Sequence, residues 1–165
     1  MTKADDFLAN VIEPGAAWAG SVPGWKPPFD DRAKVLLLAI AGQESAWTER
    51  VQSGNGPAHG FWQFERAGGV RGVLRMAVAK AVCARAGIPA NETNVWRTMA
   101  TPSGDNLAVA FARLLLWSDP KPLPAIGDEQ AAYDYYVRNW RPGKPSRERW
   151  SVVYPQAVAA VKGRA

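Results

Sequence analysis

The chain has 165 residues, of which 47% are apolar and 21% charged, a balance typical of one soluble globular domain with a single substantial core. Its one cysteine, Cys83, excludes an internal disulfide, and with only one histidine a zinc site of the usual Cys/His kind is nearly excluded. The net charge of +5 favours an anionic partner, which could be nucleic acid, a membrane surface or anionic cell wall.

The first predicted elements lead to a buried central helix. Residues 5–12 form a short amphipathic segment, and residues 13–28, rich in Pro, Gly and Trp, predict a loop. Asp30 or Asp31 is the predicted N-cap of a helix that continues to about Gln43. Because residues 35–41 read VLLLAIA, this helix is apolar on nearly every side, which is typical of a helix in the middle of a domain.

The central part of the chain begins with turn residues. Residues 52–60 (QSGNGPAHG) favour turns throughout, and the aromatic segment 61–64 predicts a brief strand or the start of a helix. The expected β element is therefore very small and lies near 58–65. An apolar stripe then predicts a helix over 70–85, which Gly87 and Pro89 end.

The remaining predicted elements are all helices. A weaker helix covers 91–100, Ser103 caps another that continues to Trp117, and a further helix covers 128–140. Ser146 starts the last helix, in which Pro155 predicts a kink. The predicted fold class is mainly α, with residues 1–165 forming one domain.

Glu44 is the first candidate for chemistry. It follows seven consecutive apolar residues almost directly, so we expect it at the edge of a buried region. Desolvation there disfavours the charged carboxylate and raises its pKa. A carboxylic acid that keeps its proton near neutral pH can protonate a glycosidic oxygen. The alternative is a glutamate in the last helical turn that simply points into water.

Three segments in order resemble the goose-type lysozyme and lytic transglycosylase group. Residues 43–47 (QESAW) resemble its helix-terminal Glu-Ser pair, which is followed by an aromatic residue. Residues 60–63 (GFWQ) resemble its Gly-x-x-Gln segment, which lines the sugar-binding cleft. Residues 131–143 (AAYDYYVRNWRPG) match its Ala-Tyr-Asn segment more loosely, and their Trp-Arg-Pro-Gly exit looks like phage-encoded members.

The resemblance implies a lysozyme-like domain with a substrate cleft beside the buried helix. Glu44 is then the catalytic acid, and Tyr136, in preference to Tyr133, is the tyrosine that reaches it. The implied substrate is peptidoglycan, cut between N-acetylmuramic acid and N-acetylglucosamine, with no cofactor and no metal. The substrate-binding residues expected are Ser45, Gly60, Phe61, Trp62, Gln63, Glu65, Tyr133 and Trp140.

Two glycan-cleaving mechanisms remain open. A hydrolytic lysozyme needs a second carboxylate, and the candidates are Glu65 and Glu49. A lytic transglycosylase needs none, because the 6-hydroxyl of the sugar attacks the anomeric carbon. Neither candidate matches a known base in this group, so the single-carboxylate mechanism is favoured.

Other functions and the site of action also follow as expectations. The rival functions are a non-enzymatic basic helical module that binds nucleic acid, through the segment 138–149, and a catalytically inactive glycan-binding protein of the same fold. We expect a monomer that binds peptidoglycan strands, with no nucleic-acid partner. No stable membrane insertion is expected, because the longest apolar run, 35–41, is shorter than the roughly 18–20 residues that a membrane span needs. The acidic start, MTKADD, predicts no signal peptide, so such a lysin would leave the host cytoplasm through a holin or arrive with a virion, and act on the periplasmic cell wall.

Overall fold

The computed structural model describes residues 1–52 and 54–164. It is mainly helical with one small antiparallel sheet, as the sequence predicts. A single cluster of buried apolar side chains runs from Ala4 to Val161 and takes in residues from every α-helix. Among the described residues, no helix combines the length and the hydropathy that crossing a bilayer would require.

The N-terminal segment differs from its prediction. Helix α1 (Lys3–Phe7), a π-helical turn (Leu8–Ile12) and helix α2 (Glu13–Gly20) are continuous, so the predicted loop over 13–28 is wrong in its first eight residues. Pro14 lies in this continuous helical segment, directly after Glu13, whose N–H still donates to the carbonyl oxygen of Leu8 in the π-helical turn. Gly15 lets α2 approach α7 (Asp105–Trp117) closely, since a Cβ there would lie 2.5 Å from Val109 Cγ2.

Helix α3 (Asp31–Ser45) is the predicted central helix. Asp30 is its N-cap and accepts a hydrogen bond of 2.9 Å from the N–H of Ala33. All residues from 35 to 43 are buried. The helix ends at Ala46, which adopts the left-handed conformation at φ 51°. The apolar run therefore does form the middle of the core, and it places Glu44 in the last turn.

The small sheet follows α3. Strands β1 (Ala58–His59) and β2 (Phe64–Glu65) pair antiparallel, which confirms the β element predicted near 58–65. Between them the chain turns through Gly60, at φ +79°, and Gln63, at φ 51°. The sheet and its turn lie beside the C-terminal end of α3.

The long helix predicted over 70–85 is interrupted. A π turn (Arg66–Val70) and helix α4 (Arg71–Leu74) precede helix α5 (Ala77–Ala86), and Met76 between them has an extended backbone. Helices α6 (Glu92–Met99) and α7 follow close to their predicted bounds. The predicted Ser103 cap is wrong, because Ser103 lies inside a 3₁₀ turn (Pro102–Gly104) and α7 starts after Gly104 without a side-chain cap.

The last two helices of the chain both contact the central helix α3. Helix α8 (Glu129–Trp140) lies within one residue of its predicted bounds, with Asp128 as its N-cap. Helix α9 (Arg147–Lys162) is capped by Ser146, where the sequence predicts its start. Pro155 lies within α9 and does not end it. Helix α9 packs along α3, so that its first turn reaches the end of the central helix.

Candidate active site

Glu44 lies half-buried at the C-terminal end of α3. The Tyr136 hydroxyl donates a hydrogen bond of 2.8 Å to Glu44 Oε1. Burial raises the pKa of Glu44, and it outweighs the hydrogen bond from Tyr136 and the positive charge of Arg149, which both lower that pKa. The carboxyl group is therefore a better proton donor near neutral pH than an exposed glutamic acid.

Tyr136 is held rigidly behind this carboxyl group. It is only 1% exposed, and its ring stacks on Trp150 with centroids 5.2 Å apart and an interplanar angle of 8°. Burial and the nearby charge of Glu44 raise the pKa of Tyr136 far above its ordinary value, so the hydroxyl stays protonated. The sequence prediction that Tyr136, rather than Tyr133, reaches Glu44 agrees with this contact. The tyrosine is thus a permanent hydrogen-bond donor to the carboxyl group.

A groove of about 670 Å³ opens over Glu44, and we call it the catalytic groove. Gln63 and Trp140, two predicted substrate-binding residues, line it together with Tyr136. The indole of Trp140 is fixed because its Nε1 donates a hydrogen bond of 2.9 Å to the carbonyl oxygen of Trp62. Gln63 is fixed as well, because its Nε2 donates to the carbonyl oxygen of Gly60 at 2.9 Å. The groove can therefore present a flat indole surface and an amide oxygen to a ligand.

Glu65 and Glu49 occupy different environments. Glu65 is exposed and lines the catalytic groove, as expected for a substrate-binding residue. Glu49 is also exposed, and it follows the end of α3 without lining that groove. Of the two candidates for a second carboxylate, only Glu65 shares the groove with Glu44.

Gly60, a predicted substrate-binding residue, is buried in the turn between β1 and β2. A Cβ added to it would lie 3.3 Å from Met99 Cβ. Its N–H donates a hydrogen bond of 2.6 Å to the carbonyl oxygen of Arg50. The left-handed turn and the packing on α6 both favour glycine here, and the approach of this backbone to a sugar stays a prediction.

Three more predicted substrate-binding residues are buried away from the groove. Ser45 is 4% exposed, and its hydroxyl donates to the carbonyl oxygen of Ala41 within α3. Phe61 is 4% exposed and packs edge-on against Phe7. Trp62 is fully buried, and its Nε1 donates to the carbonyl oxygen of Leu37 at 2.9 Å. The side chains of these residues belong to the core, so their predicted contact with substrate is corrected.

Tyr133 also lies outside the catalytic groove. It packs against Tyr136 and Trp150, with ring centroids 6.1 Å and 5.7 Å away, and the guanidinium of Arg147 lies over its ring. Its predicted role as a substrate contact is therefore corrected to support of the Tyr136 ring.

Several groove residues escaped the sequence analysis. Gln43 is 5% exposed, its Nε2 donates to the carbonyl oxygen of Ser146, and its buried Oε1 has no hydrogen-bond partner among the described residues. Arg149 donates to the carbonyl oxygen of Gln43 at 3.1 Å, beside Glu44. Arg141 and Lys144 line the rim. Three of these groove residues belong to the basic segment 138–149, whose charge pattern alone indicated only a stripe that binds nucleic acid.

Comparison of the chain with known proteins gave no match, whether to a protein family, to a curated protein or to a solved structure. The chemistry must therefore be argued from the groove itself. It holds one half-buried carboxyl group with a raised pKa, a fixed phenolic donor, an indole face, amide groups and a cationic rim. This arrangement suits proton transfer to an uncharged, hydroxyl-rich part of a ligand. A negatively charged group elsewhere on the same ligand could contact the cationic rim.

Proposed function

We propose that this protein cleaves the glycan strands of peptidoglycan between N-acetylmuramic acid and N-acetylglucosamine, with Glu44 as the acid. The observation that carries the proposal is the 2.8 Å hydrogen bond from Tyr136 to a half-buried Glu44 whose pKa is raised by burial, at the floor of an open groove. The resemblance of the 43–47 and 60–63 segments to the goose-type lysozyme and lytic transglycosylase group supports the same reading.

In the first step, Glu44 donates its proton to the glycosidic oxygen while the bond from that oxygen to the anomeric carbon breaks. The bonding pair leaves with the oxygen, and the anomeric carbon acquires oxocarbenium character. The 6-hydroxyl of the same muramic acid then attacks the anomeric carbon, and its proton passes to the Glu44 carboxylate. The products are a 1,6-anhydro end and a free sugar end, and Glu44 returns to its starting state.

One carboxyl group can serve both steps because opposing influences act on it. Burial stabilises the protonated form that the first step needs, whereas Tyr136 and Arg149 stabilise the carboxylate that accepts the proton in the second step. Glu65 is exposed on the same groove, and we assign it to substrate binding. We therefore favour lytic transglycosylase chemistry over hydrolysis.

The decisive experiment is mass spectrometry of the products that the purified protein releases from isolated peptidoglycan sacculi. We expect products with anhydro ends from the parent protein and none from Glu44→Gln. The matched control is Glu49→Gln, which removes an exposed carboxylate five residues further along the chain, outside the groove, and should act like the parent. Products that carry an added water would show that the protein is a hydrolase and not a transglycosylase. An active Glu44→Gln protein would refute the proposal.

A further inference from the structure

A second groove, of about 430 Å³, continues from the catalytic groove, and we call it the arginine groove. The two share Gln63, Glu65, Trp140 and Arg141, so the fixed indole of Trp140 forms part of the boundary between them. A ligand that passes over Glu44 can therefore extend past Trp140 into the arginine groove without leaving the surface.

The arginine groove takes its name from the four arginines along it, which are Arg71, Arg75, Arg138 and Arg141. Two of them are paired with acids outside the groove: Arg71 with Glu92 at 2.6 Å and Arg138 with Asp119 at 2.8 Å. Within residues 1–52 and 54–164, Arg75 and Arg141 form no ion pair. Two exposed cations are thus available to an anionic ligand.

Three glycines also line the arginine groove. Gly68, Gly69 and Gly72 lie there, and a Cβ added to Gly72 would meet no atom within 4 Å. Gly72 lies in α4 and has no positive φ, so a side chain can be added there without backbone strain. The groove is consequently wide enough at this point for a branch of a ligand.

We propose that the arginine groove binds carboxylates attached to the glycan strand, either on the peptide stem or, where the stem has been removed, on the lactyl group of muramic acid. This inference rests on the proposed function. A glycan strand offers uncharged rings to the catalytic groove and carboxylates to one side, where Arg75 and Arg141 lie. A nucleic acid would instead bring phosphates along its whole length, including against the carboxylate of Glu44.

The test measures binding by the inactive Glu44→Gln protein, so that cleavage does not confuse the result. Three probes are compared: glycan strands with stems, strands whose stems an amidase has removed to leave lactyl carboxylates, and neutral chitooligosaccharide. The test variant combines Arg75→Gln with Arg141→Gln. Its matched control combines Lys26→Gln with Lys80→Gln, which removes two exposed charges that line neither groove.

Exposed ion pairs are weak, so we expect the arginine variant to bind carboxylate-bearing strands roughly 2- to 30-fold more weakly than the Lys26/Lys80 control. The difference should shrink as salt is raised, and chitooligosaccharide, which has no carboxylate, should lose less affinity than the strands do. A loss confined to strands with stems assigns the carboxylate to the peptide. A loss confined to the amidase-treated strands assigns it to the lactyl group, which is an uncharged amide while the stem is attached. An equal loss on both strands shows that either carboxylate is bound.

A steric variant gives an independent measurement. Gly72→Phe fills the arginine groove and should weaken binding of strands with stems, while chitooligosaccharide binding is retained. Gly20→Phe is the control, because Gly20 is also exposed on a helix with no atom within 4 Å of an added Cβ, and it lines neither groove.

The inference is overturned if the arginine variant binds all three probes as the lysine control does. This outcome is distinct from failure of the proposed function. If the proposed function fails, neither the parent protein nor any variant will bind or cleave glycan strands.

Discussion

Replacing Glu44 with glutamine changes little except the ionisable proton. The amide keeps the shape of the side chain and an oxygen that can accept the hydrogen bond from Tyr136. Activity should fall by about 10²- to 10⁴-fold or more, since proton donation by the acid is lost. The informative quantity is the stability of the same protein, because the structure predicts that it rises.

The sign follows from linkage between protonation and folding. Burial makes the pKa of Glu44 higher in the folded protein than in the unfolded chain. Such a group contributes stability that is fully present below the unfolded pKa and is lost as the pH rises through the folded pKa. At pH values above the folded pKa the parent therefore carries a charged carboxylate in a half-buried site, whereas the variant does not. Because Glu44 is only partly buried, we expect a gain on the order of 1 kcal/mol.

For a chain of this size, that gain corresponds to a rise in Tm of about 2–4 °C at pH 7. Scanning calorimetry of the two proteins between about pH 3 and pH 8 measures it. The difference should be small at the acidic end, where Glu44 is protonated, and should grow as the pH rises. Glu49→Gln, at an exposed position, should leave Tm unchanged throughout. A variant that melts below the parent at pH 7, or an advantage that does not depend on pH, would refute the reasoning.

Three further substitutions test individual contacts. Tyr136→Phe removes a hydrogen bond that lowers the pKa of Glu44, so that pKa should rise further and the alkaline limb of the pH–rate profile should move to higher pH. Tyr133→Phe should leave this limb in place, since Tyr133 lies outside the catalytic groove. Ser45→Ala should change kcat/KM less than about twofold, because the hydroxyl bonds within α3, and a larger loss would return Ser45 to the substrate contacts. Gly60→Ala should lower the free energy of unfolding in urea by about 1–2 kcal/mol, because φ is +79° and Met99 is close, and an unchanged midpoint would contradict this.

The sequence was sufficient where a local pattern alone determines the structure. A run of seven apolar residues can only be a buried helix once Asp30 caps it, and this places Glu44 at the edge of the core. The small sheet and the bounds of α8 follow from turn residues and capping in the same way. The choice of Tyr136 over Tyr133 came from the loose family resemblance, and the hydrogen bond to Glu44 agrees with it.

Long-range packing accounts for what the sequence did not reveal. Trp62 is fully buried, and its indole N–H donates to the carbonyl oxygen of Leu37 inside α3, a contact that no local pattern predicts. The sequence Glu13-Pro14-Gly15 looks like a turn, but Gly15 is required for the close approach of α2 to α7. The cationic rim depends on how the chain from 141 to 149 folds back over α3, which spacing along the chain cannot show.

The hydrogen bonds that join the end of α3 to the start of α9 have a consequence for folding during synthesis. Gln43 is bonded to the backbone of Ser146 and to the side chain of Arg149, partners more than 100 positions later in the chain. While a ribosome is still translating the segment before Ser146, the end of α3 lacks these partners and Glu44 has no fixed orientation. At about 5–20 residues per second, this interval lasts on the order of 5–20 s. The candidate active site is thus incomplete until the last helix has emerged and docked.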